Sequence, residues 1–238
     1  MAQNLLLAST NPGKLKELRE LTADLPVNWL SLADIEMPPH PSKEDRLFTS
    51  TSEDWSNNAC LNYSRDGWSL YAIGYKEAAD LLVANIENGR RMQDTLVYPI
   101  LFLYRQYLEL ALKELIRDAR ILQDIDEPFP KTHRIDELWK ICQTLLQQVS
   151  SDEPIDCLTE IGRLIGEFSG VDPTSMAFRY PEDKEGNPSL AGIGNINLRN
   201  VREVVAKISV ILDGAGAQID AYLDFKAEMY REFHSESY

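Results

Sequence analysis

Twenty residues from Tyr98 to Arg117, YPILFLYRQYLELALKELIR, are apolar on most sides of a helix, and a helix of that kind has to be surrounded by others. The stretch therefore predicts a helical bundle with this segment at its centre. Arg105, Glu109 and Lys113 stand in one row along it, at four-residue spacing and within roughly 80° of one another. Such a row is either the wet side of the helix, a ladder of surface ion pairs, or the lining of a pocket.

The neighbouring segments supply partners for that helix. Trp68, Tyr71, Tyr75, Ala78, Ala79, Leu82 and Ile86 recur at steps of three and four and end where Asn88 and Gly89 can cap a helix. Their spacing assigns Trp68, Tyr71 and Tyr75 to the core; the other reading of these rings, with Trp55, is a surface for stacking a base. Pro99 is expected in the first turn of the central helix, where a missing N–H costs nothing. A third stripe runs through Ile135, Leu138, Cys142, Leu145, Leu146 and Val149. A fourth follows Pro154, through Ile155, Leu158, Ile161, Ile165 and Phe168 to Gly170. From about Asn197, the positions Leu198, Val201, Val205, Ile208, Leu212, Ala215, Ile219 and Tyr222 keep a seven-residue repeat. Unbroken to Phe233 this helix would be ~55 Å long, more than four others can cover, so it either meets a second subunit or bends at Gly214 and Gly216. Before the helices, residues 1–36 read as strand, turn, helix and strand, and the polar, aperiodic residues 37–64 read as a connector. The expected fold is mainly α: an up-and-down multi-helix bundle over 65–238 with a short amino-terminal βαβ-type extension.

Charge and cysteine usage narrow the function classes. A net charge of −14 excludes a surface that grips a phosphate backbone broadly, while leaving room for a local basic pocket. Cys60, Cys142 and Cys157 stand far apart with no CxxC pair, which predicts free thiols in a reducing compartment. The opening MAQNLLLASTNPGK lacks the pattern of a signal peptide, and no run reaches the ~18 uncharged residues of a membrane span, so a cytoplasmic location and no membrane partner are expected. Neither His nor Cys approaches metal-ligand spacing, and no cofactor motif is present.

Three pieces in order carry a resemblance over about residues 68–222: YLELALKELI with Glu109 and Lys113, KTHRIDELW with Thr132, His133 and Leu138, and FRYPED with Arg179, Tyr180 and Pro181. Together they resemble the HEPN family (higher eukaryotes and prokaryotes nucleotide-binding domain). The resemblance implies nucleotide or RNA binding, often in toxin–antitoxin or phage-defence systems. The family's cleaving branch uses Arg, four to six residues, then His. His40, His133 and His234 all lack an arginine at that distance, so no catalytic residue is assigned and binding without cleavage is expected. The candidate site is Arg105 and Lys113 on the phosphate, Glu109 orienting them, His133 donating a hydrogen bond, and Arg179 with Tyr180 closing from the loop. For His133 the alternative is a capping neighbour at a helix start, and for Arg179 and Tyr180 a pin that holds the loop to the bundle.

Residues 4–35, LLLASTNPGKLKELRELTADLPVNWLSLADI after Asn4, are similar to the opening strand, helix and strand of inosine and xanthosine triphosphate pyrophosphatases. That resemblance implies a phosphate-binding turn at Ser9, Thr10, Asn11 and Lys14; the plainer reading is a capped helix start with an exposed lysine. The family's Asp-Asp-Ser-Gly segment and later strands are not found, so the segment reads as a remnant. Three functions follow: a HEPN-like nucleotide- or RNA-binding protein that dimerises through its last helix, a scaffold or antitoxin-like subunit that engages a protein partner, and a triphosphate pyrophosphatase.

Overall fold

The computed structural model describes residues 3–7, 11–31, 41–50, 52–61, 67–89, 92–149 and 155–235. The chain divides into two compact units, Met1–Leu61 and Asn62–Tyr238.

In the first unit, strands β1 (Gln3–Leu7) and β2 (Val27–Ser31) pair in parallel with Leu5 opposite Trp29, and helix α1 (Pro12–Leu21) joins them. Asn11 caps α1 by accepting from the Gly13 N–H at 2.9 Å, and Pro12 follows where its missing donor has no consequence. The Trp29 indole donates to the Thr22 hydroxyl at 2.8 Å, and Arg19 donates to the Trp29 carbonyl at 2.8 Å, tying helix to strand. Trp55 stands in a single 3-10 turn, Trp55–Asn57, and is 68% exposed, so it belongs to no core.

The second unit is a helical bundle of α2 (Trp68–Glu87), α3 (Gln93–Leu122), α4 (Ile135–Val149), α5 (Ile155–Val171) and α6 (Leu198–Ser235). Helix α3 packs against α2, α4 and α6, the central position its all-round apolarity demanded. Two expectations are corrected. Helix α3 begins six residues before Pro99, so the proline lies inside it and the Thr95 carbonyl loses its intrahelical donor; burial of Ile100, Leu101 and Tyr104 immediately beyond carries the helix through. On α2, Ala79 is buried and Tyr75, Leu82 and Ile86 pack against the core as expected, but Tyr71 is 63% exposed and its neighbour Ala72 is buried instead, because a small side chain lets α2 lie close to α3 where a phenol ring would hold it off. Trp68 packs at the bundle edge, its ring 5.2 Å from that of Phe129.

Ile135, Leu138, Trp139, Cys142, Leu145 and Leu146 of α4 are buried as a stripe, and Leu158, Ile161 and Ile165 of α5 face them. Burial pushes the Cys142 thiol up to about 12, so this cysteine is an apolar filler. Helix α6 is continuous through Gly214 and Gly216, and Leu198, Val205, Ile208, Leu212, Ala215 and Ile219 of its repeat are buried. Past Ile219 no described side chain of α6 is buried. There Lys226 closes the end of α3, donating to the Leu122 carbonyl at 2.8 Å and to Asp124 at 2.7 Å. At its other end, Arg199 and Arg202 both reach Glu87 at the end of α2.

Helices α4 and α5 meet at Gly162, where a β-carbon would lie 2.6 Å from Trp139 Nε1. Trp139 is 4% exposed and has nowhere to move. Replacing Gly162 by Ala in a free helix would stabilise it by roughly 0.5–1 kcal/mol. Here overpacking outweighs that gain, and Gly162→Ala is expected to lower stability by about 1–3 kcal/mol in urea unfolding followed by circular dichroism.

Candidate functional site

The row on α3 points inward. Arg105 is 0%, Glu109 2% and Lys113 7% exposed, so the solvated ladder is ruled out as a description of these residues. Three buried ionic side chains on one helix require partners for each polar atom. Glu109 supplies two of them, accepting from Arg105 Nη1 at 3.0 Å through Oε2 and from Lys113 Nζ at 2.9 Å through Oε1. The other donors of Arg105 reach backbone carbonyls of two different helix ends: Nη2 to His133 O at 2.6 Å, just before α4, and Nε to Asp172 O at 3.1 Å, just after α5. The second carbonyl lies at the negative end of the α5 dipole, where a cation is favoured.

His133 completes the cluster. Its Nδ1 lies 2.7 Å from Glu109 Oε1, and because an ionised carboxylate only accepts, Nδ1 carries the proton. The imidazole is 69% exposed, so its Nε2 is left for another partner at the surface while the carboxylate behind it is buried. Burial drives the Glu109 carboxyl upward; hydrogen bonds from Lys113, His133 and Arg105 and the Lys113 charge outweigh it and hold the group below the usual carboxylate range. Thr132 accepts from the Arg134 N–H at 3.1 Å and donates to Glu137 at 2.7 Å, so the capping work at the start of α4 falls to Thr132 and leaves the His133 ring to Glu109.

Asp172 belongs to the same cluster and was not singled out in the sequence. Its Oδ1 accepts from the N–H groups of Met176 and Ala177 at 2.8 and 3.0 Å, closing a turn in which Ser175 has φ of 64°. Its Oδ2 is 3.6 Å from Arg105 Nε and has no hydrogen-bond partner. Asp172 followed by Pro173 at the end of an apolar stripe is the signal that marks it, a side chain able to accept from the turn it opens.

That turn delivers the loop residues to a different place. Arg179 lies 5.6 Å above the Phe102 ring and 5.4 Å from the Tyr180 ring, at an exposed position one helical turn before Arg105. Arg179 and Tyr180 line a groove of about 920 Å³ with Tyr98, Gln93, Phe178 and Asn195. Of the residues chosen from the sequence, hydrogen bonds therefore join Arg105, Glu109, Lys113 and His133, while Arg179 and Tyr180 form a second group. Every nitrogen of the Arg105 guanidinium is engaged within the protein and Lys113 is bound to Glu109. The two cations are balanced by Glu109 and Asp172, so this cluster has little attraction left for a phosphate.

In the first unit, the Asn11 carboxamide is occupied by its own helix cap, Lys14 is exposed in the first turn of α1, and Ser9 and Thr10 lie outside the described residues. Among the described residues no group of His, Cys, Asp and Glu could hold a metal ion, and no helix is long and apolar enough to cross a membrane.

Glu109→Gln removes the counter-charge of two buried cations and is expected to cost about 3–5 kcal/mol in urea unfolding at neutral pH. The double variant Arg105→Met, Glu109→Leu should lose less than the sum of the two single losses, since neither leaves the other's charge stranded. Because the folded value for Glu109 lies below its unfolded value of 4.5, its contribution is complete above about pH 5 and is lost as the pH falls through the folded value. Wild-type stability should fall through that acid window, and Glu109→Gln should flatten the fall.

Comparison of the chain with protein-family models, curated proteins and solved structures gives no match, so the reading of function rests on these side chains.

Proposed function

We propose that this chain is a HEPN-like nucleotide- or RNA-binding protein without the family's cleaving Arg/His pair, working as a homodimer through α6, with its ligand held in the groove lined by Arg179 and Tyr180. The observation that carries this reading is the Arg179 guanidinium fixed beside the Phe102 and Tyr180 rings on the groove wall. A stacked, exposed guanidinium suits a phosphate, because it presents planar paired donors; the groove lining also carries Asp94, so the attraction is local to Arg179. Tyr180, 47% exposed, and Tyr98, 47% exposed, offer ring faces for a base. The groove volume is in the range of small-ligand sites. With a net charge of −14 and one arginine in the groove lining, the ligand is a nucleotide or a short single strand rather than a long duplex. The buried cluster serves this site indirectly: Arg105 holds the backbone of Asp172, whose carboxylate closes the turn that sets Arg179. A place in a toxin–antitoxin or phage-defence system is consistent with the same resemblance.

A second reading is a scaffold or antitoxin-like subunit that engages a protein partner. It is favoured by Tyr222, Phe225 and Tyr230, apolar side chains that α6 leaves exposed beyond the bundle core.

Binding is measured by fluorescence anisotropy with a labelled four-nucleotide RNA and competed with free nucleotides. Arg179→Ala should weaken binding about tenfold or more, ~1.4 kcal/mol, with the melting temperature nearly unchanged, and raising salt should weaken wild-type binding only shallowly. Equal affinity of wild type and Arg179→Ala would overturn the groove assignment.

A further inference from the structure

The groove that holds Arg179 also carries an acid. Asp94, exposed in the first turn of α3, lines it together with Tyr98 and Tyr180. Among the described residues no hydrogen bond or ion pair takes up the Asp94 carboxylate. Arg179 reaches the Met176 sulfur at 3.9 Å and lies against two rings, and no carboxylate among the described residues answers it. Two opposite charges thus line one groove without meeting. Helix α3 sets the distance between them. Asp94, Tyr98 and Phe102 follow one another at steps of four, a single row on the helix, and Arg179 is seated above the Phe102 ring. From Asp94 to Phe102 the helix rises ~12 Å, with Tyr98 midway. The first turn of a helix favours a negative side chain, which accounts for an acid at the start of α3 but not for its place in the same groove as the arginine.

We propose that the groove selects guanine: Asp94 accepts from the N1–H and the 2-amino group of the base, Tyr98 takes the ring face, and Arg179 binds the 5′ phosphate. This deepens the groove reading above by naming the base, and it rests on that reading. Like charges repel, so the phosphate lies at Arg179 and the base points toward Asp94 at the start of α3. An ionised carboxylate only accepts, through two oxygens in one plane, and therefore matches a base edge that offers two adjacent donors. Guanine presents that pair. Adenine and cytosine present an amino donor beside a ring-nitrogen acceptor, and uracil presents one N–H between two carbonyls, so each of them sets a lone pair against the carboxylate. The ~12 Å of α3 between the two charges is a span that an extended nucleoside monophosphate bridges with one set of hydrogen bonds at either end.

The test is isothermal titration calorimetry on the full chain with guanosine, inosine, adenosine and xanthosine monophosphates. Inosine monophosphate differs from guanosine monophosphate only in lacking the 2-amino group, and the wild type should bind it about tenfold or more weakly. Asp94→Asn keeps the shape of an exposed side chain and should leave the circular dichroism melting curve nearly unchanged. It should move the preference to xanthosine monophosphate, whose C2 carbonyl accepts from the new amide while N1–H donates to the amide oxygen. Equal wild-type affinity for guanosine and inosine monophosphates overturns the proposal, as does a guanine preference that survives Asp94→Asn. Arg179→Ala separates it from the groove reading. If the wild type binds all four nucleotides alike and Arg179→Ala weakens all of them, the groove stands and guanine selection falls. If none binds, or none responds to Arg179→Ala, both fall.

Discussion

A guanidinium with no exposure to water has to find acceptors inside the protein, and the positions of those acceptors fix much of the second unit. Arg105 reaches a carboxylate on its own helix and backbone carbonyls just before α4 and just after α5. Three segments far apart in sequence are thereby held at one point. An apolar side chain there would have given these segments no directional bond to one another. The hydrogen bonds are not tolerant of displacement, because each one lost leaves a charged group buried without a partner.

The same constraint sets the division of labour among the cations. Arg105 and Lys113 have their charge answered by Glu109 and Asp172 and hold the architecture, whereas Arg179 is exposed, stacked on aromatic rings and open to the groove. The link between them is Asp172. Its carbonyl accepts from Arg105 and its carboxylate accepts from the turn that leads to Arg179, so the stiffness of the buried cluster is passed to the groove wall. His133 occupies the boundary, its ring in solvent and its Nδ1–H on the buried carboxylate.

Much of the helical pattern was legible because apolar periodicity is a direct imprint of burial on one face. The stripes at Ile135–Leu146 and Leu198–Ile219 consist of side chains that the structure buries or packs against the core, and Trp139 is the buried apolar residue they left out. The stripe of α2 was legible at Tyr75, Ala79, Leu82 and Ile86 and failed at Tyr71, where an aromatic residue was taken as inward while close helix contact selected Ala72 beside it. The start of α3 was misplaced because Pro99 is ordinarily a boundary, and only the packing of the residues beyond it keeps the helix continuous there.

By itself the sequence determined a mainly α chain with a short strand-helix-strand opening, a central helix apolar almost all round, and a row of Arg105, Glu109 and Lys113 too regular to be incidental. Whether that row met water or the interior was decided only by tertiary structure, since a helix apolar on most sides gives no internal measure of which side is covered. The separation of Arg179 from Arg105 was decided there too. Similar residue types can be chosen from a sequence as one site, but whether a cation is free for a ligand depends on which acceptors the fold brings to it. Those acceptors were backbone carbonyls at the ends of α4 and α5, which every sequence contains and no sequence pattern marks.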